Sequence, residues 1–288
     1  MSALRVRLAL VVLLTISGTA IAGCDHARTA HASPNATDLL LSVNGKYVAW
    51  NPVTHVEKPT TMPIKAAPVP ASANGQLFWG SYEGSLGVTS TLYVSRLPAG
   101  KPTLLTSNVD TPQQMAASSR YLYWTDGSVF WLPLLGGTVE SLKLPAQPSG
   151  SAADGLVVSG KYVYVSQYFN DQIGRFDMGV THPRVEWLLE TKAPSHLVVG
   201  DGFIYWITPK GIGRAHLDGT DAEPTWLVLP TVRQPVLMAF LNHSLYWTWI
   251  SGPGNSPAYL ARAQVADRAV NYKVRQVTDD LVITLIPR

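Results

Sequence analysis

The sequence predicts an all-β fold, and three observations carry that expectation. Gly and Pro are frequent (23 and 21 residues) beside 9 Trp and 12 Tyr, a mixture that suits many short strands and turns rather than a helical bundle. Hydrophobic residues make up 46% and charged residues only 14%, which is too apolar for a disordered chain and too weakly charged for a coiled coil. A short aromatic motif also returns at near-constant spacing along the 288 residues.

The N-terminus reads as an address. Arg5 and Arg7 precede an apolar run from Leu8 to Ile16, and small residues follow from Ser17 to Ala20. This is the layout of a secretory signal peptide, and the run is short for a membrane span. The stretch Ile21-Ala22-Gly23-Cys24 then resembles a bacterial lipoprotein signal, in which the Cys is lipidated and becomes the first residue of the mature chain. Cys24 is the one cysteine in the sequence, so no disulfide can hold the fold. Ordinary cleavage after Ala20 or Ala22, leaving a free thiol, is the alternative. A diacylated Cys would supply the two chains that stable anchoring needs. Residues 1–23 are thus expected as signal peptide, the small polar residues 24–37 as a flexible tether, and 38–288 as the folded domain. Asp25 resembles the retention signal of Gram-negative lipoproteins, which places the expected site at the outer face of the cytoplasmic membrane.

Removing the leader changes the charge argument. The formal charge of +3 includes Arg5 and Arg7, and the leader holds no acid, so 20 basic residues face 19 acidic ones in the mature chain. No basic cluster survives. Nucleic-acid binding and polybasic membrane recognition are therefore not expected.

A repeat organises the rest. Leu77-Phe78-Trp79, Leu122-Tyr123-Trp124, Val163-Tyr164-Val165, Ile204-Tyr205-Trp206 and Leu245-Tyr246-Trp247 are separated by 45, 41, 41 and 41 residues. Turn residues precede each copy, as in Asn74-Gly75 and Asp201-Gly202. Small or apolar stretches such as Leu156–Val158, Leu197–Val199 and Val236–Met238 lie upstream and read as inner strands. Downstream come third strands with a recurring Arg (Arg96, Arg175, Arg214, Arg262), a Gly-containing turn, and an outer strand. Four strands per period of about 40–50 residues is the pattern of a β-propeller blade.

Closure follows from arithmetic. A further step of 41 from Trp247 reaches residue 288, so the chain stops where another motif would fall. The stretch 281–286 looks like an inner strand without partners, while 39–43, 47–50 and 54–58 supply three strands at the other end. The C-terminal strand is expected to complete the first blade and leave no open edge. Gly45–Trp50 also resembles Gly160–Val165, so a second register is open; both give six blades of four antiparallel strands.

Tyr123-Trp124-Thr125-Asp126 is an intact YWTD tetrapeptide, and Ile212–Thr220 resembles the stretch that follows it in YWTD repeats. Over roughly residues 38–288 the chain thus resembles the YWTD six-bladed propellers of low-density-lipoprotein receptors. The resemblance implies a rigid protein-binding platform, an implication by association, because fold does not fix function.

Candidate sites divide accordingly. The evenly spaced Trp79, Trp124, Trp206 and Trp247 read as core between blades. The serial arginines read as caps on carbonyls or as partners of an acid in the next blade, and Asp126 as a structural hydrogen-bonding residue. The seven His show no metal-binding spacing, with His196, at the head of an inner strand, the most suited to a ligand role. No Gly-x-Ser-x-Gly, P-loop or dinucleotide motif occurs, so no catalytic residue, metal or cofactor is assigned.

The loops between second and third strands are the most informative. Those over 80–91, 166–172 and 248–258 combine aromatic and polar residues. Tyr82, Glu83, Tyr168, Asn170, Asp171 and Trp249 are the candidate ligand-binding residues, at the mouth of the channel. A solvated loop whose aromatics cover the barrel end is the competing reading. The expected function is binding of a protein, peptide or glycan by a lipid-anchored monomer; the alternative is a metal-dependent hydrolase or lactonase.

Overall fold

A computed structural model describes residues 36–43, 46–60, 70–83, 89–97, 100–146, 154–252, 257–277 and 283–287. Within them the chain forms six antiparallel sheets of four strands. Blade 2 comprises β4 (Ala71–Ala73), β5 (Gln76–Glu83), β6 (Thr89–Arg96) and β7 (Thr103–Asp110). Blade 3 comprises β8 (Gln114–Ala117), β9 (Tyr121–Thr125), β10 (Val129–Pro133) and β11 (Glu140–Leu142). Blade 4 comprises β12 (Gly155–Ser159), β13 (Tyr162–Gln167), β14 (Gln172–Asp177) and β15 (Glu186–Glu190). Blade 5 holds β16 (Ser195–Gly200), β17 (Phe203–Thr208), β18 (Gly211–His216) and β19 (Glu223–Val228), and blade 6 holds β20 (Leu237–Leu241), β21 (Ser244–Ile250), β22 (Ala258–Gln264) and β23 (Val270–Val277).

Blade 1 joins the two ends of the chain. Its order is β24 (Ile283–Pro287), β1 (Ala36–Val43), β2 (Lys46–Trp50) and β3 (Glu57–Pro59). β24 lies innermost and pairs antiparallel with β1, Leu285 opposite Leu39. This settles the register: Lys46–Trp50 is a third strand, and Leu41, opposite Val48 as Trp206 is opposite Gly213, sits where the other blades carry the last motif residue. The expected strand 54–58 begins instead at Glu57, because Asn51 builds a turn first. Its Oδ1 accepts the Val53 and Thr54 amides at 2.9 and 2.8 Å, and its carbonyl accepts the His55 amide. β1 likewise begins at Ala36, inside the segment expected as tether. The inner strands touch in the sequence β24, β4, β8, β12, β16, β20 and back to β24, which closes the ring. Among the described residues no helix is long and apolar enough to cross a membrane.

The core lies between blades rather than inside any one of them. Along each second strand, neighbouring side chains point to opposite faces. Tyr123 accordingly packs with Leu156 and Val163 of blade 4, while Trp124 packs with Phe78 and Leu92 of blade 2. Tyr164 meets Leu197 and Ile204 of blade 5, and Val165 meets Trp131 of blade 3. Tyr205 stacks on Phe240 of blade 6 at 5.7 Å, whereas Trp206 turns back into the blade 4–5 layer. Each aromatic pair therefore fills two interfaces at once. The fit is close: a Cβ on Gly213, opposite Trp206 on the third strand, would lie 2.4 Å from the indole. Trp206 Nε1 also donates to Thr191 Oγ1 at 3.1 Å, in the connection from blade 4.

Of the recurring arginines, Arg175 caps a carbonyl as expected, and Arg175 and Arg214 pair with a Glu of their own blade rather than with an acid of the next. Arg175 donates to Glu186 at 2.9 Å and to the Leu217 carbonyl of blade 5 at 3.0 Å. Arg214 pairs with Glu223 at 2.5 Å, and Arg268 of blade 6 reaches the same carboxylate at 2.8 Å. Arg275 and Glu57 join blades 6 and 1.

Two substitutions test the wedge. Trp206→Ala removes contacts on both sides and is expected to cost about 3–5 kcal/mol in urea unfolding. Gly213→Ala forces the indole to shift and is expected to cost about 1–3 kcal/mol. A loss below about 1 kcal/mol for Trp206→Ala would show that the indole does not hold the interface.

Candidate functional site

Antiparallel strands place the second-to-third-strand loops and the blade-to-blade connections at one end of the ring. The best-defined part of that end lies over blades 3 to 5. Between β13 and β14 the chain turns through Tyr168–Asp171, and three of these residues are tied down. The Tyr168 amide donates to Asp154 Oδ2 at 2.9 Å. Asn170 Nδ2 donates to Gln167 Oε1 at 3.1 Å, and the fully buried Gln167 donates in turn to the Pro145 carbonyl at 2.7 Å. Asp171 adopts a left-handed φ of 55°, which a short polar side chain tolerates. Its carboxylate accepts Lys192 Nζ at 2.7 Å and the Ala193 amide at 2.8 Å, both in the connection to blade 5. The Lys192 bond, then the Ala193 amide, holds the Asp171 carboxyl below the usual carboxylate range.

That clamped turn presents two rings. Tyr168 and Phe169 meet edge to face with centroids 4.9 Å apart, and remain 37% and 49% exposed. Asn170 and Asp171 thus hold the loop, while Tyr168 and Phe169 form its outward surface.

A second cluster lies further in, where the inner strands begin. Gln114 opens β8 and its Oε1 accepts the Leu156 amide of blade 4 at 2.7 Å, while its Nε2 is enclosed without a partner. Gly155 opens β12 under tight constraint: an added Cβ would lie 2.4 Å from Ser166 Oγ and 3.1 Å from the His196 amide. A side chain here would push blades 4 and 5 apart. His196 sits at a register shift between Ser195 and Val198, with φ 49°. Its Nδ1 and Ser166 Oγ are also enclosed and make no hydrogen bond. Burial lowers the His196 pKa to about 3, so the imidazole is neutral at physiological pH. The cluster therefore consists of neutral polar groups packed between the blades. Among the described residues no group of three or more His, Cys, Asp or Glu is gathered closely enough to hold a metal ion.

The other expected positions fall elsewhere. Tyr82 and Glu83 do not lie in a loop from 80 to 91: they extend β5, paired with Ser90 and Thr89, whose strand is rich in the β-branched residues that favour extension. Trp249 is likewise not on a loop. β21 continues to Ile250, and Trp249 is 4% exposed, stacked on Tyr259 at 5.1 Å and donating to the Tyr272 carbonyl at 2.7 Å. An indole that satisfies its N–H on a backbone carbonyl of the same blade gains more from burial than from a solvated position. Cys24 lies outside the described residues. Gln114 and Ser166 were not singled out by the sequence; a Gln heading an otherwise apolar inner strand was the available sign.

No family model matches the chain, and no curated protein matches it. Solved structures do. A chain of a nidogen/laminin complex superposes with a TM-score of 0.65 over 86% of this chain and 98% of its own, at 14% identity. A structure from Bacteroides uniformis, described as a candidate 6-phosphogluconolactonase, gives 0.55 over 85% and 83%, at 17% identity. At these identities the likeness carries the propeller fold alone.

The enclosed imidazole makes stability depend on pH. The folded value lies below the ordinary 6.5, so between about pH 6.5 and 3 the unfolded chain binds a proton that the folded chain refuses. Stability is full above that window and falls as pH drops through it, by up to about 1.4 kcal/mol per unit. His196→Gln is expected to flatten the decline between pH 6.5 and 4, measured by urea unfolding. A ring proton resonance of His196 titrating near 6.5 would refute the enclosure.

Proposed function

We propose that the chain is a non-catalytic binding or scaffold protein of the bacterial cell envelope, held at the outer face of the cytoplasmic membrane by a lipid on Cys24. Its loop face over blades 3 to 5 engages a protein, peptide or glycan. The observation that carries this reading is the exposed Tyr168–Phe169 pair on a clamped turn. Aromatic rings held in place before contact lose little conformational freedom on binding, and such rings anchor recognition surfaces. A propeller chain solved in a nidogen/laminin complex supports the reading by association.

The alternative is a hydrolase or lactonase with a channel-bound cation; the Bacteroides neighbour is described as a candidate lactonase. Such chemistry needs several acidic or His side chains converging in the channel. Among the described residues no group of three or more His, Cys, Asp or Glu is gathered closely enough to hold a metal ion.

Two experiments bear on the reading. In a bacterial host, the chain is expected in the membrane fraction with incorporated fatty acid, and Cys24→Ala is expected to release it unlabelled; a Cys24→Ala variant that stays labelled overturns the anchor. A photoreactive phenylalanine analogue at position 169 is expected to give a discrete envelope adduct, whereas the same group at Leu135, fully exposed on a turn at the opposite end, is not. Equal labelling from both positions, or none from 169, would sink the loop-face assignment.

A further inference from the structure

The internal repeat provides its own control, because equivalent positions can be compared from blade to blade. On blades 4 and 5 the third-strand arginine lies between the same two neighbours. Arg175 faces Tyr164 on the second strand and Glu186 on the fourth; Arg214 faces Tyr205 and Glu223. Both arginines form ion pairs with the facing Glu. Blade 6 repeats the first half of this arrangement, with Arg262 opposite Tyr246. The residue facing Arg262 on the fourth strand is Asn271. A side-chain amide carries no negative charge, and among the described residues no carboxylate lies at ion-pair distance from Arg262. Its Nε donates to Ser244 Oγ at 3.1 Å, which leaves the paired terminal nitrogens of the fork.

The space beside the arginine differs too. At the blade 4–5 interface the Leu217 carbonyl caps Arg175 at 3.0 Å. At the blade 5–6 interface Arg268 fills the corresponding place, bound to Glu223 and to the Trp226 carbonyl. At the blade 6–1 interface there is a cleft of about 400 Å³. Pro52 and His55 of blade 1 line one side, and Tyr246, Arg262, Gln264 and Asn271 of blade 6 the other. Val270 and Val274 add aliphatic surface. A half-buried cation without a carboxylate, in a cleft with both apolar and amide lining, suits a small organic anion.

We propose that this cleft binds a small carboxylate-bearing molecule, whose oxygens take on Arg262 the place that Glu186 and Glu223 take on Arg175 and Arg214. The guanidinium fork matches a carboxylate in two parallel hydrogen bonds. The body of the ligand lies against Tyr246, Val270 and Val274, with the amides of Gln264 and Asn271 and the His55 ring within reach of further polar groups. The cleft lies beside the turns joining third and fourth strands, at the end of the ring opposite Tyr168 and Phe169, so it is independent of the loop face.

The test uses the full chain with butyrate and benzoate, each against its amide, read by thermal unfolding and Trp fluorescence. Both carboxylates are expected to raise the melting temperature saturably, and butyramide and benzamide to leave it unchanged. Asn271→Glu supplies the carboxylate from within, as blades 4 and 5 do. It is expected to fold with undiminished stability and to lose the response to both acids. Arg262→Gln should weaken binding roughly tenfold or more. Arg175→Gln should lower stability and keep the response, which separates loss of an ion pair from loss of the site. The proposal is overturned if neither acid binds, if the amides act as the acids do, or if Asn271→Glu retains full carboxylate binding.

Discussion

The ring depends on the aromatic pairs of its second strands. Period-2 geometry sends adjacent side chains to opposite faces of the sheet, so in blades 2 to 5 one residue of the pair packs forward and the next packs back. Burying a Trp or Tyr contributes about 4–6 kcal/mol from 150–250 Å² removed from water, before entropy. With one cysteine in the sequence, no disulfide within the chain supplements that term. Neighbouring blades are consequently interdependent: a side chain removed from one blade opens the core of another. Where the pair is incomplete, as at Val165, Trp131 and Phe176 occupy the same layer.

The two ends of the ring differ in chemistry. The end carrying the turns holds ion pairs that tie strands and blades together, such as Glu223 with Arg214 and Arg268. Burial alone would raise the Glu223 pKa, but the two guanidinium groups prevail and keep it low. The end carrying the loops has one clamped turn, held by the Asp171–Lys192 pair and the Asp154 carboxylate, and two exposed rings. Charges that must pair internally make stable joints but are not free for a ligand, whereas exposed rings are. This contrast is why the blade 6–1 cleft stands out: it has the cation of the paired joints without the partner.

The sequence made the architecture legible because a propeller writes its period into the chain. The spacing of Trp79, Trp124, Val165, Trp206 and Trp247 gave blade number and width, and the unpartnered C-terminal stretch gave the closure. The register of blade 1 was not legible, since Lys46–Trp50 imitates a second strand and only its pairing between β1 and β3 separates the two possibilities. Site residues were less visible. Tyr168, Asn170 and Asp171 do lie together on one turn, but Trp249 carries the same loop-like surroundings in sequence and is buried, because its fate depends on Tyr259 and Tyr272 across the sheet. Gln114, Ser166 and His196 come from three strands; Ser166 and the His196 amide flank Gly155, and Gln114 bonds the next residue, Leu156. Asn271 in the place of a Glu could be read only after the fourth strands were aligned by their pairing.

The strand that completes blade 1 also sets a timetable. About 240 residues separate the end of β1 from the start of β24. At translation rates of about 5–20 residues per second, β1 waits on the order of ten seconds or more for its innermost partner. Throughout that interval the nascent chain carries an unpaired edge, and the blades already made cannot form a circle. Closure of the ring therefore waits for β24, whichever of the other blades have formed before it.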